Sequence, residues 1–228
     1  MLKMVLRLEA FLLLCYLYLI FGTPSPCLAI PPKSDVVLSA RWLVSSSDWG
    51  VLASLRLGGK VFTNVVSYSD GVNSQRDREN STGIPYFYLT TLDETARNFE
   101  RNPTASFTVS SKSDDIDGRC GALDAQEPPC PRITLIGKVL PIRSKSERAF
   151  AHAALLSKHP AMQYWPDGHK FDLYKFVISE IFFINDYGGA KPIHLKEYLN
   201  ARLHNEDLLT FQREQANPKL KTINLRLA

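Results

Sequence analysis

The groups in this sequence that could catalyse, chelate or cross-link are five histidines, four cysteines and a scatter of acidic residues. Their spacing argues against the common catalytic devices. No G-x-S-x-G elbow occurs, no H-E-x-x-H pair, and no glycine-rich phosphate loop followed by Lys-Ser or Lys-Thr. His152 and His159 fall on or just after one predicted helix, His169 follows a turn signal, and His194 and His204 flank the last helix. Dispersed in this way, they read as capping, surface or core residues. His159 and His169, with Trp165 and Pro166 between them, are the pair with most claim to a site. Asp186 and Tyr187, before Gly188-Gly189, could join a polar cluster but read first as a strand end. Cys120 and Cys130 have no histidine nearby and fall short of the four ligands of a structural zinc, so no metal is expected.

The N-terminus decides what the cysteines do instead. Lys3 and Arg7 precede the apolar run from Ala10 to Phe21, and Cys27-Leu28-Ala29 offers small residues for cleavage, so residues 1–29 read as a secretory signal peptide. The run is shorter than the roughly 20 residues of a membrane span, and no second one follows; the rival reading is an uncleaved anchor. Cleavage removes Cys15 and Cys27 and leaves Cys120 and Cys130, an even pair in an oxidising route, hence an expected disulfide around Gly121 to Pro129. Chain entropy assigns such a loop about 2.7 kcal/mol, reduced because Pro128, Pro129 and Pro131 already stiffen the unfolded segment. Asn80-Ser81-Thr82 is an N-glycosylation acceptor that only a secreted chain could use, whereas Asn102-Pro103-Thr104 fails on its proline.

A formal charge of +4, with 45% hydrophobic and 22% charged residues, places the chain among ordinary globular proteins. Lys and Arg alternate with Asp and Glu, as in Arg76-Asp77-Arg78-Glu79, where a nucleic-acid site needs a patch of one sign.

The elements that must position any site alternate between strands and capped helices. Ser34 starts a helix with Val36, Val37, Ala40, Leu43 and Val44 on one face, ending near Asp48. Strands Val51 to Leu57 and Val61 to Tyr68 flank Gly58-Gly59, a two-residue hairpin connection. Ser69 to Thr82 is polar and turn-rich and reads as a surface loop. Ile84 to Leu89 is a strand, and Thr91 with Glu94 stands at capping-box spacing before a helix carrying Ala96 and Phe99. Asn102-Pro103 stops that helix, and Thr104 to Val109 is extended. After a long loop, Lys112 to Pro131, comes a strand from Arg132 to Ile142 in which Gly137 signals a bulge or a close approach. Ser144 and Glu147 repeat the capping-box spacing, with Phe150, Ala153, Ala154 and Ser157 lining a helix that stops at His159-Pro160. Tyr174 to Ile184 is a long last strand, and Leu195 to Leu203 is helical. The expectation is a mostly β protein with peripheral helices, a small barrel of about six strands.

Gly83 to Val109, together with Trp49 to Ser54, resembles the FMN-binding split barrel of pyridoxamine-phosphate oxidase and its relatives. His159-Pro160-Ala161-Met162, Trp165-Pro166, His169 and Ile178 to Gly189 (ISEIFFINDYGG) resemble the CREG family of secreted glycoproteins, a likeness running from about Ala40 to Tyr198. The resemblance implies a CREG-like split-barrel domain over residues 30–202 and a C-terminal tail over 203–228. It implies a homodimer, the same disulfide, a glycan, an extracellular or endolysosomal/vacuolar location and a link with growth and differentiation control. It also implies a cofactor cleft filled by the protein's own loops and side chains. A protein or glycoprotein receptor would be the partner, although a receptor reading several glycans fits poorly with Asn80 alone.

Split-barrel enzymes hold FMN between two subunits, and its phosphate dianion must be paired with cations and donors. Ungapped alignment of the hairpin places Asn64 and Ser69 where the enzymes carry an arginine and a lysine. Counting back from Asn102-Pro103 places Asp93, Glu94 and Thr95 where they carry a serine, an arginine and a lysine. Two carboxylates in the first helical turn stabilise the helix and repel a phosphate. The vestigial cleft therefore comprises Asn64, Ser69, Thr91, Asp93, Glu94, Thr95 and Arg97, with no cofactor expected. Arg97, Lys60 or a residue of a second subunit could compensate for the lost cations. An FMN-dependent oxidoreductase is the alternative, and a carrier of haem or another tetrapyrrole a third reading.

Overall fold

A computed structural model describes residues 30–75, 77–113 and 120–204. The expected signal peptide and nearly all of the expected tail lie outside them. Four helices and seven strands follow in the order α1 (Val36–Ser46), β1 (Trp49–Leu55), β2 (Val61–Ser67), β3 (Tyr86–Thr90), α2 (Glu94–Arg101), β4 (Thr104–Ser110), β5 (Arg132–Pro141), α3 (Lys145–Lys158), β6 (Phe171–Ile184), β7 (Lys191–Pro192) and α4 (Leu195–Asn200). The strands form one antiparallel sheet in the order β2-β1-β4-β5-β6-β3, with β7 on β6.

That sheet curls until its two edges meet. Just past β2, Ser69 exchanges both backbone hydrogen bonds with Tyr86 of β3, at 3.2 and 2.8 Å. The edges touch there and part elsewhere, which makes a half-closed, split barrel. Inside it Leu52, Tyr68, Phe87, Phe107, Ile133, Leu135, Phe176 and Phe183 are buried. The Tyr68 and Phe87 rings meet Phe107 edge-on at 5.0 and 5.3 Å, the geometry aromatic quadrupoles favour. Gly137 sits at the shift in β5–β6 register, where an added Cβ would lie 2.0 Å from the Val177 carbonyl oxygen, so bulge and close approach coincide.

Several local expectations change. Asp35, not Ser34, caps α1, because a turn closing on the Pro32 carbonyl places Asp35 where its carboxylate can accept from Leu38 N. The hairpin connection is three residues, Leu57 to Gly59, since Arg56 still pairs with Lys60; both glycines take positive φ. Ser144 does cap α3, but Glu147 turns to Lys175 instead of closing the box. The buried stripe of α3 is Ala151, Ala154 and Leu155, while Ala153 and Ser157 face outward.

The larger correction concerns residues 69–82, read from their polarity as a surface loop. Asp70, Ser74, Arg78 and Ser81 are buried. Asp70 accepts from Ser74, Ser81 and Gly83 N, and Arg41 of α1 donates to the Ser81 carbonyl at 2.6 Å and to the Tyr198 carbonyl at 3.1 Å. Arg78 lies over the Trp42 ring and donates to Ser46. These hydrogen bonds meet most of the buried polar groups and draw part of the loop inward, where a hydropathy reading would leave it in water.

Candidate functional site

The split between β2 and β3 is a cleft of about 210 Å³. Its β2 side is Asn64 to Ser67 and its β3 side Tyr88 to Thr90; Asp93 and Thr95 enter from the start of α2, Met162 and Trp165 from the connection between α3 and β6, and Phe171 from the start of β6. The volume lies below the roughly 300–1,000 Å³ of a usual ligand pocket.

Asp93 is the N-cap of α2, with one carboxylate oxygen accepting from Thr95 N at 2.7 Å. Thr91, the expected cap, is displaced because Thr90 to Asp93 close a turn of their own: Thr90 Oγ1 accepts from Leu92 N, and the Thr90 carbonyl accepts from Asp93 N. Asn64 Nδ2 donates to the other Asp93 oxygen at 2.8 Å and to Thr95 Oγ1 at 3.2 Å. A first-turn amide that could hold an anion, Thr95 N, is thus met by a carboxylate of the chain, itself anchored from β2.

Glu94 points the other way. Its carboxylate meets Arg56 at 3.0 Å and Arg97 at 3.2 Å. The Arg97 hydrogen bond, aided by the Arg56 charge, holds the Glu94 carboxyl below the usual range. Arg97 also donates to the Thr91 and Leu92 carbonyls, both at 2.9 Å. It turns toward Glu94 and these carbonyls, and neither it nor Lys60 lines the cleft.

Of the residues expected in the cleft, the structure brings together Asn64, Asp93 and Thr95. Ser69 is not among the lining: it is fully buried at the point where the barrel closes, with its hydroxyl on the Gly71 carbonyl. Thr91 and Glu94 flank the site. The group the residue reading missed is an aromatic wall: Tyr88 stacks with Phe171 at 4.9 Å and with Trp165 at 6.0 Å, and Trp165 meets Phe171 at 4.8 Å. The signal was in β3, where Tyr86-Phe87-Tyr88 puts aromatics on both faces, so the outer face needs a cover.

His159 and His169 take separate roles. His159 Nε2 lies 2.8 Å from the Tyr68 carbonyl, which requires the Nε2–H tautomer, and burial pushes its pKa below 6.5. His169 gives its backbone carbonyl to Thr90 Oγ1. Asp186 and Tyr187 are an exposed strand end. Asn80 is exposed, with its side-chain amide on Asp77, and Cys120 and Cys130 form a buried disulfide. Among the described residues no His/Cys/Asp/Glu cluster suits a metal ion, and no helix is long and apolar enough to cross a membrane.

A curled antiparallel sheet whose edges part around a capped helix start defines the split-barrel class. Solved structures share the fold, two of them as follows. A heme binding protein from Mycobacterium smegmatis superimposes with a TM-score of 0.58 at 21% identity, over 76% of this chain and 62% of that one. ChuZ from Campylobacter jejuni gives 0.56 at 12% identity, over 82% and 70%. Within the class the sequence is more specific. The family model described as CREG, beta-barrel, matches residues 31–200. Protein CREG1 of Gallus gallus is 34% identical over 76% of this chain and 90% of its own length, and Protein CREG1 of Homo sapiens 33% identical over 75% and 76%. The chain belongs to the CREG family.

FMN is the group this fold accommodates elsewhere, and the residues present do not fit its phosphate. The lining offers no cation, and the one charge it holds is the Asp93 carboxylate.

Proposed function

We propose that this chain is a glycoprotein of the secretory route, extracellular or in the endolysosomal/vacuolar lumen, that forms a homodimer and acts by binding other macromolecules without flavin. The observation that carries this reading is the Asn64–Asp93–Thr95 arrangement, which puts a carboxylate where an anion would bind. At 4 Å, two unit charges of like sign repel by about 4 kcal/mol at an effective dielectric of 20, enough to outweigh what a helix end contributes. The names of the CREG relatives denote no reaction.

Support for pairing comes from the outer face of the sheet. Register aligns Val65, Val51, Thr108, Thr134 and Phe182 across β2, β1, β4, β5 and β6. Val51, Val61, Val65 and Phe182 are exposed there, an apolar face of the kind that marks association. Asn80, exposed on the loop before β3, suits a glycan.

Titrating the purified protein with FMN tests the reading. No saturable quenching of isoalloxazine fluorescence is expected; saturable binding at one FMN per chain would overturn it.

A further inference from the structure

Exclusion of anions leaves open what the cleft favours, and its charge and ring chemistry agree on an answer. Glu94 is neutralised by Arg56 and Arg97, whereas Asp93, its neighbour, has no Lys or Arg within ion-pair distance among the described residues. The two hydrogen bonds it accepts, from Thr95 N and from Asn64 Nδ2, use about two of the four acceptor positions of a carboxylate. The full negative charge exceeds the roughly half positive charge of a helix N-terminus. Arg56 and Arg97 hold their guanidinium groups on Glu94 and on the 91–92 carbonyls, outside the lining.

Beside Val65, Val66, Leu89 and Met162, the lining carries three aromatic rings. Tyr88 and Trp165 lie with their ring planes 11° apart, Phe171 packs against both, and Trp165 keeps 37% of its surface exposed. Ring faces are negative, and a cation within about 6 Å of such a face is attracted, most strongly by tryptophan. An unpaired carboxylate and three aromatic rings in one cavity of about 210 Å³ select a small, positively charged, partly apolar ligand.

We propose that the cleft binds an alkylammonium group, which Asp93 pairs by charge and Trp165, Tyr88 and Phe171 receive through their rings. This rests on the exclusion of phosphate proposed above and adds the ligand class. A free amine or a lysine side chain of another protein could present that group.

Calorimetric titration with choline chloride should give saturable binding at one site per chain. A capped lysine amide run in parallel stands for a protein side chain, and the tighter of the two assigns the source. Asp93→Asn keeps an N-cap of equal quality and should weaken choline at least about tenfold. Trp165→Leu should weaken it about two- to thirtyfold. No saturable binding by either amine, or Asp93→Asn binding as tightly as the parent, overturns the proposal. Glucose binding as tightly as choline overturns it too, because the wall would then act as a neutral platform. FMN in a fourth titration separates the two readings: its binding removes the exclusion of phosphate, whereas failure of the amines alone removes only this inference.

Discussion

Two polar clusters stand on either side of the point where β2 meets β3, and they are built oppositely. The cleft holds a single carboxylate, half open to water, anchored by neutral Asn64 and Thr95. The cluster behind it holds two arginines and one aspartate, all essentially sealed: Arg41 and Asp70 are fully buried and Arg78 is 2% exposed. In the sealed cluster both arginine Nε atoms lack a partner, and burial pulls the Arg78 pKa down to about 10 although Asp70 opposes the shift. Such a cluster fixes one arrangement of α1, the 69–83 loop and α4, and any unpaired charge in it is costly. The open cluster carries little stability and therefore has chemistry to spare for a ligand.

The comparison breaks most sharply at Asp70. Asp70→Ala leaves the Ser74 and Ser81 hydroxyls and the Gly83 N–H without their acceptor and removes the carboxylate that opposes the Arg78 shift; it should cost about 3 kcal/mol or more, read from the urea midpoint at constant m-value. A loss under about 1 kcal/mol would mean that the Asp70 carboxylate does not hold the sealed cluster together. Asp93→Ala removes a cap and the part-exposed acceptor of Asn64, which keeps Thr95 Oγ1, and should cost about 1–2 kcal/mol in the same experiment. Equal losses at Asp70 and Asp93 would erase the distinction between the two regions.

The smallest effect is a pH dependence at the edge of the sealed cluster. Because the folded pKa of His159 is depressed, the unfolded chain takes up the proton first as pH falls. The contribution of neutral His159 is complete above pH 6.5 and is lost as pH drops through the folded pKa. His159→Gln should flatten the slope of stability against pH below 6.5 relative to the parent; an unchanged slope assigns it to other groups.

The barrel was legible because each strand announces itself by β-branched and aromatic residues between strong punctuation, such as Gly58-Gly59 and Asn102-Pro103. The start of α2 was legible in kind but not in register, since a turn from Thr90 to Asp93 competes with the capping box expected at Thr91. Asn64, Asp93 and Thr95 were placed by likeness to split-barrel enzymes, and the structure brings them together. Ser69 was misplaced because ungapped counting cannot see that the chain leaves β2 at Ser67 to close the barrel. The burial of Asp70, Ser74, Arg78 and Ser81 was hidden because a segment whose partners lie on α1 and α4, as Arg41 meets Ser81 and Tyr198 meets Gly83, shows only its own polarity in sequence. The aromatic wall joins β3 to residues 162–171, a contact that no local periodicity encodes.

The central claim is that Asp93 occupies, with its own charge, the place where the fold elsewhere seats a phosphate. Its most direct test is to secrete the protein from a eukaryotic host, denature it and quantify released flavin by chromatography. The account predicts no flavin above background, and stoichiometric FMN released from the native material would contradict it.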